Sequence, residues 1–326
     1  LYRCVNFRTN IELLKKIMNL KYLFVIILFP FYIQAGEIIK FSPYDVKLNK
    51  NADIIAELHL PDGPGPFPLI ITQHGSTRNQ DFQNGKGKTD DYSIEIVKQG
   101  LEAGFAVATP DSFYHMNISP SDKINFPIAM SFGVELKDIL SKHPKIDKKN
   151  IFYTGFSFGG TTSLISLTNE TVQLSQYQLA QSNVPWKAVS PVEASCNFQF
   201  KPEKIDFKVL FVQGSESHYE PKPCIYYHDQ LSNMNLDDQI EIIIIEDANH
   251  YFSTDGKITK GVAANGCKDN PVIITENEWM FADGEVTTRK DAFKSCLTDK
   301  AGNRGNLKKL PIAVKEVVSF FIKNKD

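Results

Sequence analysis

The feature that most constrains this chain is the run Gly-Phe-Ser-Phe-Gly-Gly at positions 155–160. An apolar stretch, Ile-Phe-Tyr-Thr, precedes it at 151–154, and a helix-like stretch follows at 161–168. A strand that turns directly into a helix around a serine leaves room only for small residues on either side of that serine. The turn lifts the Ser157 hydroxyl above the sheet and aims the N–H groups of the helix N-terminus at it. The motif therefore predicts a nucleophilic serine in an α/β fold.

Strand and helix patterns alternate along the rest of the sequence. An opening antiparallel pair of strands is predicted at 37–41 and 53–60. Further short apolar runs predict strands at 68–72, 105–109, 187–192, 207–213 and 239–245. Helical patterns lie between and after them, at 92–103, 126–140, 224–234 and 315–323. This alternation predicts a mostly parallel central sheet with helices on both faces.

Two details refine the predicted fold. Four consecutive isoleucines within 239–245 are typical of a strand buried on both faces, so we expect this strand in the centre of the sheet. Between Val192 and Phe207 there is no room for a substantial helical cap over the site. We therefore expect no large cap.

The first 35 residues have the layout of an exported protein's leader. Met18 opens a short basic region, an apolar core runs from 22 to 33, and Ala35 is a small residue at a cleavage position. We interpret 1–17 as upstream translated sequence, 18–35 as a signal peptide and 36–326 as a single domain. The apolar core is short for a membrane span, so an uncleaved anchor is the less favoured alternative. Membrane contact is then transient, and we expect an exported protein, periplasmic or extracellular.

The net charge of the chain limits the classes of partner that it is expected to bind. The leader carries five lysines and arginines against one glutamate, so its removal moves the formal net charge from −2 to −6. A mildly acidic chain without a basic stripe is a poor candidate for binding nucleic acid. The Asn-Gly-Lys-Gly-Lys run at 84–88 has no strand leading into it, so we do not interpret it as a phosphate-binding loop. We expect no cofactor.

Five cysteines become four once Cys4 is assigned to the leader. An even number in an exported chain predicts two disulfides, with three possible connectivities. Proximity in sequence favours Cys196–Cys224 and Cys267–Cys296, and the second pair would pin an irregular insertion at about 253–310. The alternative is a metal site built from Cys224, His218 and His228. Its spacing matches no zinc pattern, so we expect no metal.

A serine hydroxyl is a weak nucleophile at neutral pH and needs a base, which in turn needs an orienting acid. His250 is the predicted base, because it follows the last apolar strand within Asp-Ala-Asn-His-Tyr-Phe at 247–252. His228 lies in a predicted helix, which suits a packing or surface role better.

The orienting acid is less well defined. It is expected about three residues after Gly214, where the strand at 207–213 ends, but that position holds Ser217. Glu216 is our preferred acid, Glu220 is the second choice, and Glu193 after the preceding strand is the third.

A tetrahedral intermediate needs two N–H donors for its oxyanion. The backbone N–H of Phe158, directly after the serine, is one predicted donor. The backbone N–H of Ser76 is the other, in a Gln-His-Gly-Ser loop at 73–76 where Gly75 permits the turn. We interpret His74 in this loop as structural.

These motifs together resemble the dienelactone hydrolase-like branch of the α/β-hydrolases, from residue 37 to the C-terminus. The matching segments are 68–75, 105–111, 151–160, 214–224 and 249–252. The resemblance implies the α/β-hydrolase fold and a triad in the order serine, acid, histidine. Two departures stand out: the chain has Ser157 where dienelactone hydrolase itself has cysteine, and Ser217 and His218 where the family has aspartate.

The expected activity is therefore hydrolysis of small or moderately sized carboxylic esters through an acyl-enzyme, by an exported, cofactor-free serine hydrolase. A serine peptidase of the same fold is one alternative, although such peptidases usually carry a large accessory domain. A binding protein that kept the fold and lost the activity is the other alternative, since the expected aspartate is missing.

Overall fold

The computed structural model describes residues 36–45, 49–116, 130–168, 182–236, 238–250, 252, 263–275, 277–298 and 307–326. The predicted upstream segment and signal peptide at 1–35 lie outside the described residues. So do 253–262 and 299–306 of the predicted insertion, and Tyr251 beside the candidate base.

Eight strands within the described residues form the main sheet. They are β1 (Glu37–Phe41), β2 (Ile54–His59), β3 (Phe67–Gln73), β4 (Ala106–Asp111), β5 (Ile146–Phe156), β6 (Ala188–Val192), β7 (Lys208–Gly214) and β8 (Ile240–Ile245). Their spatial order is β1-β2-β4-β3-β5-β6-β7-β8. Strand β2 is antiparallel to both neighbours, and all other adjacent pairs are parallel.

Alternate side chains of the strands enter two separate apolar cores. In β3, Leu69 and Ile71 belong to one core and Ile70 to the other. In β7, Phe211 and Leu210 divide in the same way. Successive residues of a strand point to opposite faces. A continuous apolar run therefore requires cover on both faces of the sheet.

Six α-helices of the described chain provide this cover. They are α1 (Asp91–Glu102), α2 (Met130–Leu140), α3 (Phe158–Ile165), α4 (Lys222–Ser232), α5 (Arg289–Cys296) and α6 (Leu310–Asn324), the last preceded by a 3-10 turn at Leu307–Lys309. Helices α2, α3 and α4 contribute to the first core, and α1 and α6 to the second. The predicted α/β-hydrolase fold, a mostly parallel sheet with helices on both faces, is confirmed.

The isoleucine-rich strand β8 lies at the edge of the sheet, so the predicted central position is wrong. Its composition has a different cause. Ile242 packs against the first core and Ile243 against the second, because helices cover both faces even at this edge. A doubly apolar strand therefore indicates two covered faces, and it does not indicate two neighbouring strands.

The described part of the predicted insertion contains regular structure of its own. Phe198–Phe200 pairs with Val272–Ile274, which continues through Trp279–Phe281 to Val286–Thr287 in a four-stranded sheet. A small pair joins Ala263–Ala264 to Leu297–Thr298. Two further short pairs are Tyr44–Asp45 with Lys50–Asn51, and Gln80–Asp81 with Lys88–Thr89. No helix among the described residues is long and apolar enough to cross a bilayer.

Candidate active site

Ser157 is the single residue between the end of β5 at Phe156 and the start of α3 at Phe158. Its φ of 55° lies in the left-handed region, where a residue other than glycine costs about 1–3 kcal/mol. Two backbone hydrogen bonds hold it there. The Ser157 N–H donates to the Val192 carbonyl at 3.0 Å, and the Thr161 N–H donates to the Ser157 carbonyl at 2.8 Å. The turn is thus tied to both the neighbouring strand and its own helix.

The flanking glycines are required by backbone contact. A Cβ on Gly155 would run into the carbonyl of Gly159, and a Cβ on Gly159 would run into the carbonyl oxygen of Gln73 at the end of β3. Any other residue at these positions would push strand, turn and helix apart. The tight packing predicted from Gly-x-Ser-x-Gly is therefore visible as direct contact between main chains.

His250 is hydrogen-bonded to this serine. It lies on the loop after β8, with Nε2 2.9 Å from the Ser157 Oγ. Its ring packs against that of Phe156, with centroids 5.3 Å apart, and against the rings of His218 and Tyr219, each at 4.3 Å. The imidazole is buried and held by aromatic rings, so it has little freedom to turn away from the serine.

Glu193 completes the arrangement from the residue directly after β6. Its Oε2 lies 2.8 Å from the His250 Nδ1, and the side chain is fully buried. Two further donors reach the same carboxylate, the backbone N–H of Gly214 and the hydroxyl of Ser217. A buried charge is tolerated only when it is paired and hydrogen-bonded. With three donors, this carboxylate satisfies that requirement.

The structure does not bring the preferred acid, Glu216, to the histidine. Glu216 is exposed, and its backbone N–H donates to the Ala248 carbonyl at 2.8 Å. Glu220, the second choice, is half-buried and pairs with Lys268 at 3.4 Å. Glu193, the third choice, is the carboxylate that contacts His250.

The position where the acid was expected still takes part. Ser217 donates its hydroxyl to Glu193, so a carboxylate from β6 and a serine after β7 together occupy the place where the resembled family has one aspartate. A signal existed in the sequence. A glutamate directly after a buried strand, combined with a hydrogen-bond donor at the expected acid position, indicates an acid supplied by the neighbouring strand.

These contacts define a tautomer for the neutral histidine. With Glu193 at Nδ1, that nitrogen carries the proton and donates it to the carboxylate. Nε2 then presents a lone pair to the Ser157 hydroxyl, which donates to it. A serine, a correctly oriented imidazole and a buried carboxylate in this order can activate the hydroxyl by general-base catalysis.

The two predicted oxyanion donors lie on segments in backbone contact. Phe158 is the first residue of α3, where helix N–H groups have no intrahelical partner. Ser76 is half-buried in the turn after β3. A Cβ on Gly75 would lie 2.9 Å from the Phe156 ring and 3.3 Å from its carbonyl oxygen. The loop after β3 therefore packs directly against the serine turn.

His74 sits beneath this loop as a buried, neutral ring. Its Nε2 accepts from the Ser112 N–H at 3.0 Å, and its Nδ1 donates to the Gly75 carbonyl at 2.6 Å. Burial lowers the pKa of His74 below its ordinary value, because the charged form would lose its hydration. Both ring nitrogens thus have hydrogen-bond partners in the neutral form, without a second proton.

Both favoured disulfides, Cys196–Cys224 and Cys267–Cys296, are formed. The first ties the segment after Glu193 to helix α4. It also removes the metal alternative, since the Cys224 sulfur is bonded to Cys196. No group of three or more histidines, cysteines and carboxylates in the described part of the chain could hold a metal ion. His228 pairs with its neighbour Asp229 at 2.9 Å.

No protein-family profile and no curated protein sequence matches the chain. Among solved structures, it is similar to a putative dienelactone hydrolase from Klebsiella pneumoniae subsp. pneumoniae MGH 78578, at 13% identity and a TM-score of 0.43 over 67% of this chain and 90% of that one. It is also similar to the apo form of Thermogutta terrifontis esterase 2, at 13% identity and a TM-score of 0.49 over 70% and 89% of the two chains.

A third similar structure is an acylaminoacyl peptidase in complex with a peptide chloromethyl ketone, at 14% identity and a TM-score of 0.46. The match covers 69% of this chain but 39% of the peptidase. At these identities and TM-scores the similarity concerns general architecture.

Proposed function

We propose that this chain is a serine hydrolase that acts on carboxylic esters. The observation that carries the proposal is the continuous path from the Ser157 Oγ through His250 to Glu193, with distances of 2.9 and 2.8 Å. A buried triad of this kind on a strand-turn-helix serine is the arrangement used for acyl transfer.

In the first half-reaction, the Ser157 Oγ attacks the ester carbonyl while the His250 Nε2 takes the hydroxyl proton. The carbonyl oxygen becomes an oxyanion, which the backbone N–H groups of Phe158 and Ser76 stabilise. The tetrahedral intermediate then expels the alcohol, which receives the proton from His250. This leaves an acyl group on Ser157.

In the second half-reaction, water replaces the alcohol. His250 takes a proton from the water as its oxygen attacks the acyl carbon, and a second tetrahedral intermediate forms. The C–O bond to Ser157 breaks, and His250 returns the proton to the serine oxygen. The carboxylic acid leaves and the enzyme is restored, so the mechanism requires no cofactor and no metal.

Glu193 orients His250 and stabilises the imidazolium that forms in each step. The buried carboxylate of Glu193 argues against an inactive binding protein, because it lies where the acid missing after β7 would be needed. The substrate is a small or moderately sized ester. Phe158, which directly follows Ser157, is half-buried, and its ring offers apolar surface beside the serine.

The leader pattern and the two disulfides support export, since disulfides persist in oxidising compartments. The protein would act in the periplasm or outside the cell on a small-molecule substrate. Nucleic acid is not a partner, and membrane contact is limited to the signal peptide during export.

The test is hydrolysis of p-nitrophenyl acetate by wild type, Ser157→Ala and His250→Ala. Each substitution should lower kcat by about 10⁶-fold, as in other serine hydrolases. A fluorophosphonate probe should label wild type and not Ser157→Ala. His228→Ala, a histidine on α4 paired with Asp229, is the matched control and should keep wild-type activity. Retention of most activity by Ser157→Ala would overturn the mechanism.

The same probe separates the alternatives. A serine peptidase would be favoured if the probe labels Ser157 and peptide substrates are cleaved, but no ester in a panel of varied acyl length is turned over. Absence of labelling would favour a binding protein.

A further inference from the structure

We propose that Asp90 is a positioning residue for the oxyanion site, and that its carboxylate fixes the direction of the Ser76 N–H. This inference rests on the proposed function. Asp90 directly precedes α1, far from Ser157 in sequence, and its side chain is fully buried. Its carboxylate binds Gly75 and Ser93, so its effect on Ser157 would pass through the loop after β3.

The carboxylate of Asp90 joins two elements. Oδ1 accepts from the Ser93 N–H at 2.8 Å, which is the ordinary bond of a helix N-cap. Oδ2 accepts from the Gly75 N–H at 2.6 Å. One side chain therefore holds the start of α1 and the residue before the predicted donor Ser76.

Hydrogen bonds fix both the N–H and the carbonyl of Gly75. Its N–H is fixed by Asp90, and its carbonyl accepts from the Nδ1 of His74 at 2.6 Å. In a planar trans peptide, the Gly75 carbonyl and the Ser76 N–H belong to one rigid unit and point in opposite directions. Fixing Gly75 at both ends therefore fixes where the Ser76 N–H points.

Only a carboxylate can make both bonds of Asp90 from this position. The N–H groups of Gly75 and Ser93 approach different oxygens of the side chain, and an ionised aspartate offers an acceptor at both places. Asparagine supplies one oxygen and an NH₂ group that cannot accept. Serine supplies one oxygen, which is sufficient to cap a helix but not to reach Gly75 as well.

Helix capping alone does not account for this residue. Serine, asparagine and aspartate cap helices about equally well, and none needs burial to do so. Helix α5 is capped by an exposed Thr288, whose side chain accepts from the Asp291 N–H. Burial raises the pKa of Asp90, because the charged form loses its hydration. Burying this carboxylate costs free energy that helix capping does not require. The second hydrogen bond, from the Gly75 N–H, explains why the carboxylate is nevertheless buried.

The experiment compares Asp90→Asn and Asp90→Ser with wild type, with Thr288→Ala as the control for loss of a helix cap. In both Asp90 variants kcat on p-nitrophenyl acetate should fall about 10- to 100-fold, short of the full loss of an oxyanion donor. KM should change by less than about twofold, because the contact matters only once the oxyanion forms. Thr288→Ala should lower Tm by a few degrees and leave kcat unchanged.

A second measurement separates positioning from general damage. A trifluoromethyl ketone forms a hemiketal oxyanion on Ser157, so its affinity should weaken by the same factor as kcat, whereas an unreactive amide analogue should bind as before. Circular dichroism checks folding, and Asp90→Ser, which keeps the cap, carries the test if Asp90→Asn unfolds.

Two results would overturn the role of Asp90 without affecting the proposed function. One is unchanged kcat and unchanged ketone affinity in both variants. The other is an equal loss of affinity for the ketone and for the unreactive analogue. Both results require that Ser157→Ala abolishes turnover in the same assay. Absence of Ser157-dependent turnover in wild type would instead overturn the proposed function and, with it, the role of Asp90.

Discussion

Glu193 combines two features that are individually unfavourable. Its φ of 51° is left-handed for a residue with a side chain, and its carboxylate is fully buried. Its backbone N–H donates to the Val212 carbonyl at 2.9 Å, which holds the residue to β7. Strain and burial of charge together are typical of functional positions, where the surrounding structure maintains a conformation that packing alone would not select.

Substitution of each candidate acid tests this directly. Glu193→Gln should lower kcat by about 10³- to 10⁴-fold, because an amide facing Nδ1 favours the wrong histidine tautomer. Glu216→Gln and Glu220→Gln, the controls, should stay within about twofold of wild type. The measurement is kcat and KM on p-nitrophenyl acetate with circular dichroism for folding. A large loss in Glu216→Gln with none in Glu193→Gln would contradict the assignment.

The buried His74 should make stability depend on pH. Its pKa is lowered in the folded chain, so below the ordinary value of about 6.5 the unfolded chain binds a proton that the folded chain does not. The free energy of unfolding should therefore fall as pH falls from about 6.5 towards the folded pKa, by about 1.4 kcal/mol per pH unit. Above 6.5 this residue contributes no slope.

Urea unfolding of wild type and His74→Gln between pH 6.5 and 5 checks this prediction. Asp90 has a raised pKa, so its own contribution has the opposite sign, with stability lost as pH rises above its ordinary value. Asp90 is present in both proteins, so the difference between them removes the part of its contribution that does not depend on His74. Parallel pH dependences would show that His74 is not the residue that titrates.

At the scale of elements, the ends of parallel strands bring the site together. The register of β6 with β7 pairs Val192 with Val212, so the residues after these strands lie side by side. Because these residues are adjacent, Glu193 accepts a hydrogen bond from the Ser217 hydroxyl and can replace the acid expected after β7. It depends on which strands are neighbours, and this is information that a local motif does not contain.

What the sequence could predict follows from this distinction. Local patterns, a tight turn and a loop after an apolar strand, predict Ser157 and His250, and the structure places the Ser157 Oγ 2.9 Å from the His250 Nε2. The acid depends on pairing between distant strands, so the sequence leaves three glutamates as candidates. The sequence does not predict the edge position of β8 for the same reason, since its isoleucines indicate cover on both faces and do not indicate neighbouring strands.

The two disulfides offer a matched comparison between elements. They span 28 and 29 residues in sequence, so the loop-closure contribution to stability is nearly equal. Removing either pair by serine substitution should lower stability by about 2–5 kcal/mol. Only the Cys196–Cys224 pair joins the segment after Glu193 to α4, which follows the Ser217 loop.

The double variant Cys196→Ser/Cys224→Ser should therefore also lose about 10- to 100-fold in kcat, because small displacements of a catalytic group have large effects on rate. Cys267→Ser/Cys296→Ser is the control and should keep kcat within about twofold. Urea unfolding and steady-state kinetics provide the two readouts. Equal losses of kcat in both double variants would mean that the first disulfide has no special connection to the site.

At the scale of the whole molecule, the residues proposed to act on the substrate or on each other lie at the carboxyl ends of the parallel strands. Ser76, Ser157, Glu193, Ser217 and His250 follow β3, β5, β6, β7 and β8 respectively. The carboxyl ends of parallel strands meet at one edge, where α/β proteins place their ligand sites. The two apolar cores on the faces of the sheet hold these strand ends in register, so the site depends on packing along the entire domain.

The proposed export of the chain makes a last prediction about the whole protein. Residues 18–326, produced in a bacterium and recovered from the periplasm, should have the mass of a chain that begins at Gly36, after cleavage behind Ala35. Both disulfides should be formed, because the periplasm is oxidising. Residues 36–326 produced in a reducing cytosol should instead carry four free thiols, and a lower kcat that oxidative refolding restores. A periplasmic protein that retains residues 18–35 would contradict cleavage and support the anchor alternative.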